Sequence, residues 1–200
     1  MRKPIISVEE DKLFINAEKI TGKYTNQLFK TTFKNIEFNE CTFINIDFSN
    51  QSLEKTTFID CIFKNCNLSN TNLSGSTFIR IIIEESNLTG SNLYSSSFKD
   101  VTFEDNLISL VNFSNSKFKD IEFNNNKMNE VSFVKVEFIK TKFGNCYLCN
   151  AEFLQTKLKD IDFSTCDINS ISYNIPNLKG LKVNSYQAVE LSISLGIKVV

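Results

Sequence analysis

A period of five governs this sequence. From Leu28 to Leu178 every fifth residue is apolar or aromatic, and of 19 phenylalanines only Phe14 and Phe29 fall outside that register. A fixed period sustained over such a length marks a repeat architecture. On an α-helix a step of five turns by about 500°, which would spread these side chains around the cylinder and bury no face. On a flat strand the same step alternates faces and leaves half of them in water. Burying the whole series requires a chain that turns a corner every five residues and sends each central residue to a common axis. The position two before each centre agrees. It is mostly small or β-branched, as in Cys41, Thr56, Cys61, Cys66, Ser76, Ser86, Ser96, Val101, Val131, Cys146, Ala151 and Cys166, with a mostly polar residue between it and the centre. Small, polar, large is strand-like alternation, with two side chains in and one out.

Ser86-Asn87-Leu88-Thr89-Gly90 and Ser91-Asn92-Leu93-Tyr94-Ser95 resemble the motif of the pentapeptide-repeat family: a small residue, Asp or Asn, Leu or Phe, then two free positions. The resemblance implies an all-β fold, a right-handed quadrilateral parallel β-helix with four repeats (about 20 residues) per coil. Residues 26–183 then form the repeat domain, with about eight coils and a length of roughly 38 Å at ~4.8 Å per layer. Sorted by coil, the stacks beginning at Phe38 and Phe43 are rich in Phe, and those beginning at Leu28 and Phe33 are mixed. The register contains no insertion, so no projecting loop is expected.

Residues 1–25 are expected to cap the first coil, with Ile5, Ile6, Val8, Leu13, Phe14, Ile15 and Ile20 over its open end. Pro176 and Gly180 perturb the last coil. Residues 184–200 read as a short helix N-capped by Asn184 or Ser185 and stopped by Gly196, followed by an extended apolar tail.

A formal net charge of -1 does not suit a basic nucleic-acid binder. No apolar run is long enough for a membrane span, and acids follow the first six residues at once, which makes a poor signal peptide. A cytoplasmic setting is expected. The chain contains no His, which removes most acid–base and metal-site designs, and no glycine-rich phosphate loop. Neither an enzyme nor a bound cofactor or metal is expected. Cys41, Cys61, Cys66, Cys146 and Cys166 occupy the small inward slot and Cys149 does not, so free thiols are expected.

The position two after each centre points outward, and one corner is acidic: Glu40, Asp60, Asp100, Asp120 and Asp160, interrupted by Arg80 and Lys140. The adjoining side adds Glu84, Glu85, Glu104, Asp105 and Glu122. Residues 81–125 hold seven acids and three bases, net -4. The opposite side is poorer in acids, with Asn67, Asn70, Asn87, Asn92, Asn112 and Asn115. Either this face binds a partner or its charges are simply solvated. Asn45, Asn65, Asn125 and Asn145 share another column, and a hydrogen-bonded ladder is expected there.

The run from Gly180 to Ala188, with Leu195-Gly196-Ile197-Lys198-Val199 after it, is similar to the C-terminal end of the Qnr and MfpA proteins. Glu18-Lys19-Ile20-Thr21-Gly22 is similar in kind but weaker. This resemblance implies a symmetric end-to-end homodimer through the helix and tail, with Tyr186, Val189, Leu191, Ile193, Leu195, Ile197 and Val199 as its contacts. It also implies a DNA mimic that binds DNA gyrase and topoisomerase IV and modulates fluoroquinolone action. The inserted loops of some Qnr proteins have no counterpart here. The alternative is a scaffold or toxin-immunity protein that binds a different protein.

Overall fold

A computed structural model of the chain describes residues 1–6, 14–16, 19–25 and 35–199. The expected centres Leu28 and Phe33, the inward Thr31 and the expected cap residues Val8 and Leu13 lie outside the described residues.

The chain is a four-sided parallel β-helix, and its corners have a backbone cause. From Asn35 to Asp160 the residue two after each centre has left-handed φ, as at Glu40 (53°), Asn45 (55°), Asn50 (58°) and Lys55 (55°). That region costs an L-residue roughly 1–2 kcal/mol, and Asn, Asp and Gly enter it most easily. The corners accordingly include Asn65, Asn70, Asn115, Asn125, Asn145 and Asn150, with Gly75 and Gly90. Leu110 is an exception, at φ 61° and 56% exposed.

Parallel pairing steps by twenty residues along Phe38, Phe58, Phe78, Phe98, Phe118 and Phe138. The strands on this path are β3 (Glu37–Ile44), β4 (Thr57–Ile59), β5 (Ile62–Lys64), β6 (Thr77–Glu84), β7 (Ser97–Glu104), β8 (Lys117–Asn124) and β9 (Glu137–Gly144), with β4 and β5 sharing one turn. About eight coils were expected, and six turns carry strands. Past Gly144 the coil continues through single bridges as far as Asp162↔Lys182.

Side-chain competition helps to separate strand from turn. On the strand sides the residue before the centre is Thr, Ser, Ile, Glu or Lys. On the other two sides it is often Asn or Asp, whose side-chain oxygen accepts the N–H two residues on: Asp47 from Ser49 N (2.9 Å), Asn67 from Ser69 N (3.1 Å), Asn87 from Thr89 N (3.0 Å) and Asn112 from Ser114 N (3.0 Å). This local bond favours a turn over a strand. Asp162 brings the same bond, to Ser164 N at 2.9 Å, onto a side that carries strand in earlier turns, and strand is absent there.

The centres form the core. Ring centroids stack at 5.1 Å for Phe38–Phe58, 4.8 Å for Phe78–Phe98 and 4.7 Å for Phe98–Phe118. In the next stack Phe103–Phe123 sit at 4.7 Å and Phe123–Phe143 at 5.0 Å. Such offset pairs add to area burial. The inward slot also carries a donor. Ser76 Oγ reaches Leu53 O (3.1 Å), Ser116 Oγ reaches Leu93 O (2.9 Å) and Thr71 Oγ1 reaches Phe48 O (2.8 Å), each a centre carbonyl one turn earlier. Asn106 and Asn126, buried in one such column, do the same to Ile83 O (2.8 Å) and Phe103 O (2.9 Å).

At the N-terminal end β1 (Phe14–Asn16) pairs antiparallel with β2 (Lys19–Thr25), and β2 pairs parallel with β3. The register slips at Gly22 (φ 133°), so Tyr24, not residue 23, stacks on Phe43 at 5.3 Å. Ile5 does not cover the open end: it is 68% exposed, and its segment lies along the side of the rod.

Candidate functional site: the acidic wall and the C-terminal end

The acidic corner lies within the bend of the strand sides. Its residues share left-handed φ, from 52° at Asp60 to 65° at Asp160, so their Cβ atoms leave the rod in similar directions. Two expectations are corrected here. Asp60 and Asp100 are not exposed; they are 6% and 7% accessible. Arg80 and Lys140 do more than interrupt the column. Arg80 clamps Asp60 with Nε–Oδ1 at 2.6 Å and Nη2–Oδ2 at 2.5 Å, and Lys140 Nζ lies 3.8 Å from Asp120. Arg80's hydrogen bonds hold the Asp60 carboxyl below the usual carboxylate range, against the desolvation that would raise it.

Residues 1–6 account for the rest of this burial. Arg2 N donates to Asp100 Oδ1 at 3.0 Å, and Ile5 N donates to Asp60 Oδ1 at 3.1 Å. Met1 reaches the groove formed by Asp120, Glu122, Lys140, Lys142 and Asp160.

On the adjoining side Glu84 pairs in register with Glu104, one layer (~4.8 Å) away. Lys64 Nζ lies 2.9 Å from Glu84 and 3.8 Å from Glu85. Glu104 accepts from Asn124 (3.1 Å) and Asn125 (3.4 Å), and Glu122 pairs with Lys142 at 3.0 Å. Asp105 is exposed at the next corner. Glu84, Glu85, Glu104 and Asp105 thus form a carboxylate group on two adjacent layers. Glu40, half-buried, stands apart toward the N-terminal end. The asparagine ladder forms at both ends of its column, Asn65–Asn45 at 2.6 Å and Asn145–Asn125 at 3.3 Å, with Glu85 and Asp105 between.

All six cysteines are free, and Cys149 alone is not fully buried. Burial pushes the Cys66 thiol up to about 11, and Cys61 rises for the same first reason. These thiols stay protonated, which leaves them weak nucleophiles. No group of residues able to hold a metal ion occurs among the described residues, and no helix there is long and apolar enough to cross a membrane.

At the other end helix α1 spans Ser185–Ser194. Asn184 is the N-cap in a capping box: Asn184 Oδ1 accepts Gln187 N (3.0 Å) and Gln187 Oε1 accepts Asn184 N (2.9 Å). Gln187, 4% exposed, also donates through Nε2 to Phe163 O (2.9 Å) and Cys166 O (2.6 Å). It thereby ties the helix to the last turn of the coil. The helix ends in a Schellman motif, with Gly196 at φ 82° and bonds from Gly196 N to Ile193 O and Ile197 N to Ser192 O. Tyr186 (72% exposed), Val189, Ile193, Leu195, Ile197 and Val199 face outward. Leu191 differs: it packs against the core, so its first task is to seat the helix.

Family models bear on this architecture. One described as a pentapeptide repeat region matches residues 56–133 and 118–193, and one described as pentapeptide repeats (8 copies) matches residues 33–75. No curated protein matches the chain. Among solved structures, QnrB1, a plasmid-mediated fluoroquinolone resistance protein, is similar over 89% of this chain and 97% of its own, at 21% identity and a TM-score of 0.45. HetL, a pentapeptide repeat protein involved in heterocyst differentiation regulation in the cyanobacterium Nostoc, is similar over 82% and 86%, at 12% identity and 0.32. A pentapeptide repeat protein from the Arabidopsis thaliana thylakoid lumen is similar over 57% and 66%, at 22% identity and 0.21. None of the three likenesses assigns a partner to this chain. The family models cover well over half the sequence, and the chain belongs to the pentapeptide-repeat family.

Proposed function

We propose that this protein is a non-enzymatic, cytoplasmic interaction rod. Its acidic strand side docks on a type II topoisomerase, DNA gyrase or topoisomerase IV, as a partial mimic of duplex DNA, and so modulates fluoroquinolone action. A second copy joins end to end through α1 and the tail. The observation that carries the reading is the carboxylate group Glu84, Glu85, Glu104 and Asp105 on a straight wall, with Lys64 as its ion-pair partner among the described residues. Duplex DNA offers one negative charge per ~1.7 Å of axis, so the wall supplies part of that field. The likeness of Gly180–Ala188 and Leu195–Val199 to the ends of Qnr and MfpA proteins adds support, as does the outward apolar stripe on the same helix. The purified protein is expected to inhibit gyrase supercoiling and relieve quinolone trapping at micromolar concentration; no effect rejects the reading. Ile193→Asp is expected to reduce the light-scattering mass to that of a monomer, and an unchanged mass rejects the end-to-end pairing.

A second reading has its own support. The pairs Asp60–Arg80, Asp120–Lys140 and Glu122–Lys142 neutralise much of the wall. A rod so balanced suits a protein partner recognised by shape and hydrogen bonding, as a scaffold or a toxin-immunity protein requires. Recovery from lysate of one dominant partner without gyrase or topoisomerase IV subunits favours it.

A further inference from the structure

The acidic corner already has an occupant. We infer that it is a docking edge for an extended peptide, closed in cis by the chain's own residues 1–6, which any partner approaching Asp60 and Asp100 must displace.

Three observations meet here. First, the two contacts are main-chain N–H groups on carboxylates, Arg2 N to Asp100 and Ile5 N to Asp60, at 3.0 and 3.1 Å. Charge-assisted bonds of this kind are the stronger class. Second, the spacings agree. Asp60 and Asp100 are two layers apart, about 9.6 Å. Arg2 and Ile5 are three residues apart, about 10 Å when extended. An extended chain running along the rod axis therefore meets every second corner with every third amide. Arg80 occupies the corner between and is taken up by Asp60, so it does not oppose the strap. Third, the strap is suited to an extended course. Pro4 confines Lys3 to extended backbone and lacks an N–H of its own, so the donors fall at Arg2 and Ile5 on either side of the restricted pair. Arg2 and Lys3 bring positive charge to an acidic column.

The consequence is a cover over part of the acidic wall. While the strap is seated, Asp60 and Asp100 are almost wholly inaccessible, and the carboxylates left open to a partner include those at 84, 85, 104 and 105. Displacement would uncover Asp100 and the Arg80-paired Asp60. The strap stands on its own geometry and does not depend on which protein the wall meets.

The test uses the full chain. In the wild type the Arg2 and Ile5 amide protons should exchange at least about tenfold more slowly than in a random coil. Asp100→Asn should speed exchange at Arg2, and Asp60→Asn at Ile5. Because Asp60→Asn also strips Arg80 of its partner, a second variant leaves the corner and the net charge intact: Ile5→Pro removes the donor to Asp60. It should bind a fluorescein-labelled octalysine probe at least about threefold more tightly than the wild type at low salt, the gain vanishing at high salt. Random-coil exchange at both amides of the wild type, or equal probe affinity of the two proteins, overturns the inference.

Discussion

Two kinds of side alternate around this rod, and they are stabilised differently. The sides holding the stacks that begin at Phe38 and Phe43 carry strand in every turn from Glu37 to Gly144. The sides holding Phe48, Leu68, Leu88 and Leu53, Leu73, Leu93 carry turns joined by single bridges. Both bury their centres equally well. They often differ one residue before the centre, where Asp47, Asn67, Asn87 and Asn112 on the turn sides capture the amide two residues on. The strand sides also hold the longer ring stacks, the acidic wall and the strap, and the turn sides hold the asparagine turns and a shorter ring stack through Phe113, Phe133 and Phe153. A local hydrogen bond therefore contributes, at the Asn and Asp positions, to keeping those faces from becoming flat strand.

Substitutions on the two kinds of side should separate them. Phe118→Ala, in the middle of a strand-side stack with Phe98 at 4.7 Å, should cost about 3–5 kcal/mol in denaturant unfolding, through the cavity it leaves. Its turn-side counterpart Leu88→Ala leaves a smaller cavity and forfeits no ring stacking, so it should cost less. Equal losses would remove the energetic distinction between the sides. At the strand-side corner, Asp60→Asn should cost about 1–3 kcal/mol at neutral pH, because it leaves Arg80 without its carboxylate. The sign with pH follows from the lowered pKa of Asp60 in the fold. Its contribution is present above the usual carboxylate range and is lost as pH falls through the folded-state pKa. The difference in Tm between wild type and variant should therefore shrink on acidification; a constant difference would contradict the pairing. At the turn-side corner, Leu110→Asn should raise stability by about 0.5–1 kcal/mol, because Asn enters the left-handed region at lower cost than Leu. Destabilisation there would mean that Leu110 makes a packing contribution larger than its strain.

Much of this was legible in the residues and some was not. The five-step register names the inward side chains because burial leaves no other solution, and Phe38 through Phe163 follow it. The corners were half visible. Asn and Gly recur at the second place after each centre, but the reason emerges only with the left-handed backbone. Asn106 and Asn126 occupy a slot otherwise filled by small or apolar residues, and their purpose, donating to Ile83 O and Phe103 O, depends on a carbonyl one turn away. Gln187 sits inside a recognisable motif, yet the carbonyls it serves belong to Phe163 and Cys166. The strap left no periodic trace, because its contacts join residues 98 and 55 positions apart. The acidic column follows the repeat, yet Asp60 and Asp100 are covered, since periodicity says where a side chain starts and not what lies across it.

The most direct measurement is the affinity of gyrase for this protein and for its Glu85→Lys/Glu104→Lys/Asp105→Lys variant at low and high salt. The acidic wall as partner surface predicts weaker binding by the variant at low salt, with the difference shrinking as salt screens the charges. Equal affinity of the two proteins at low salt would contradict it.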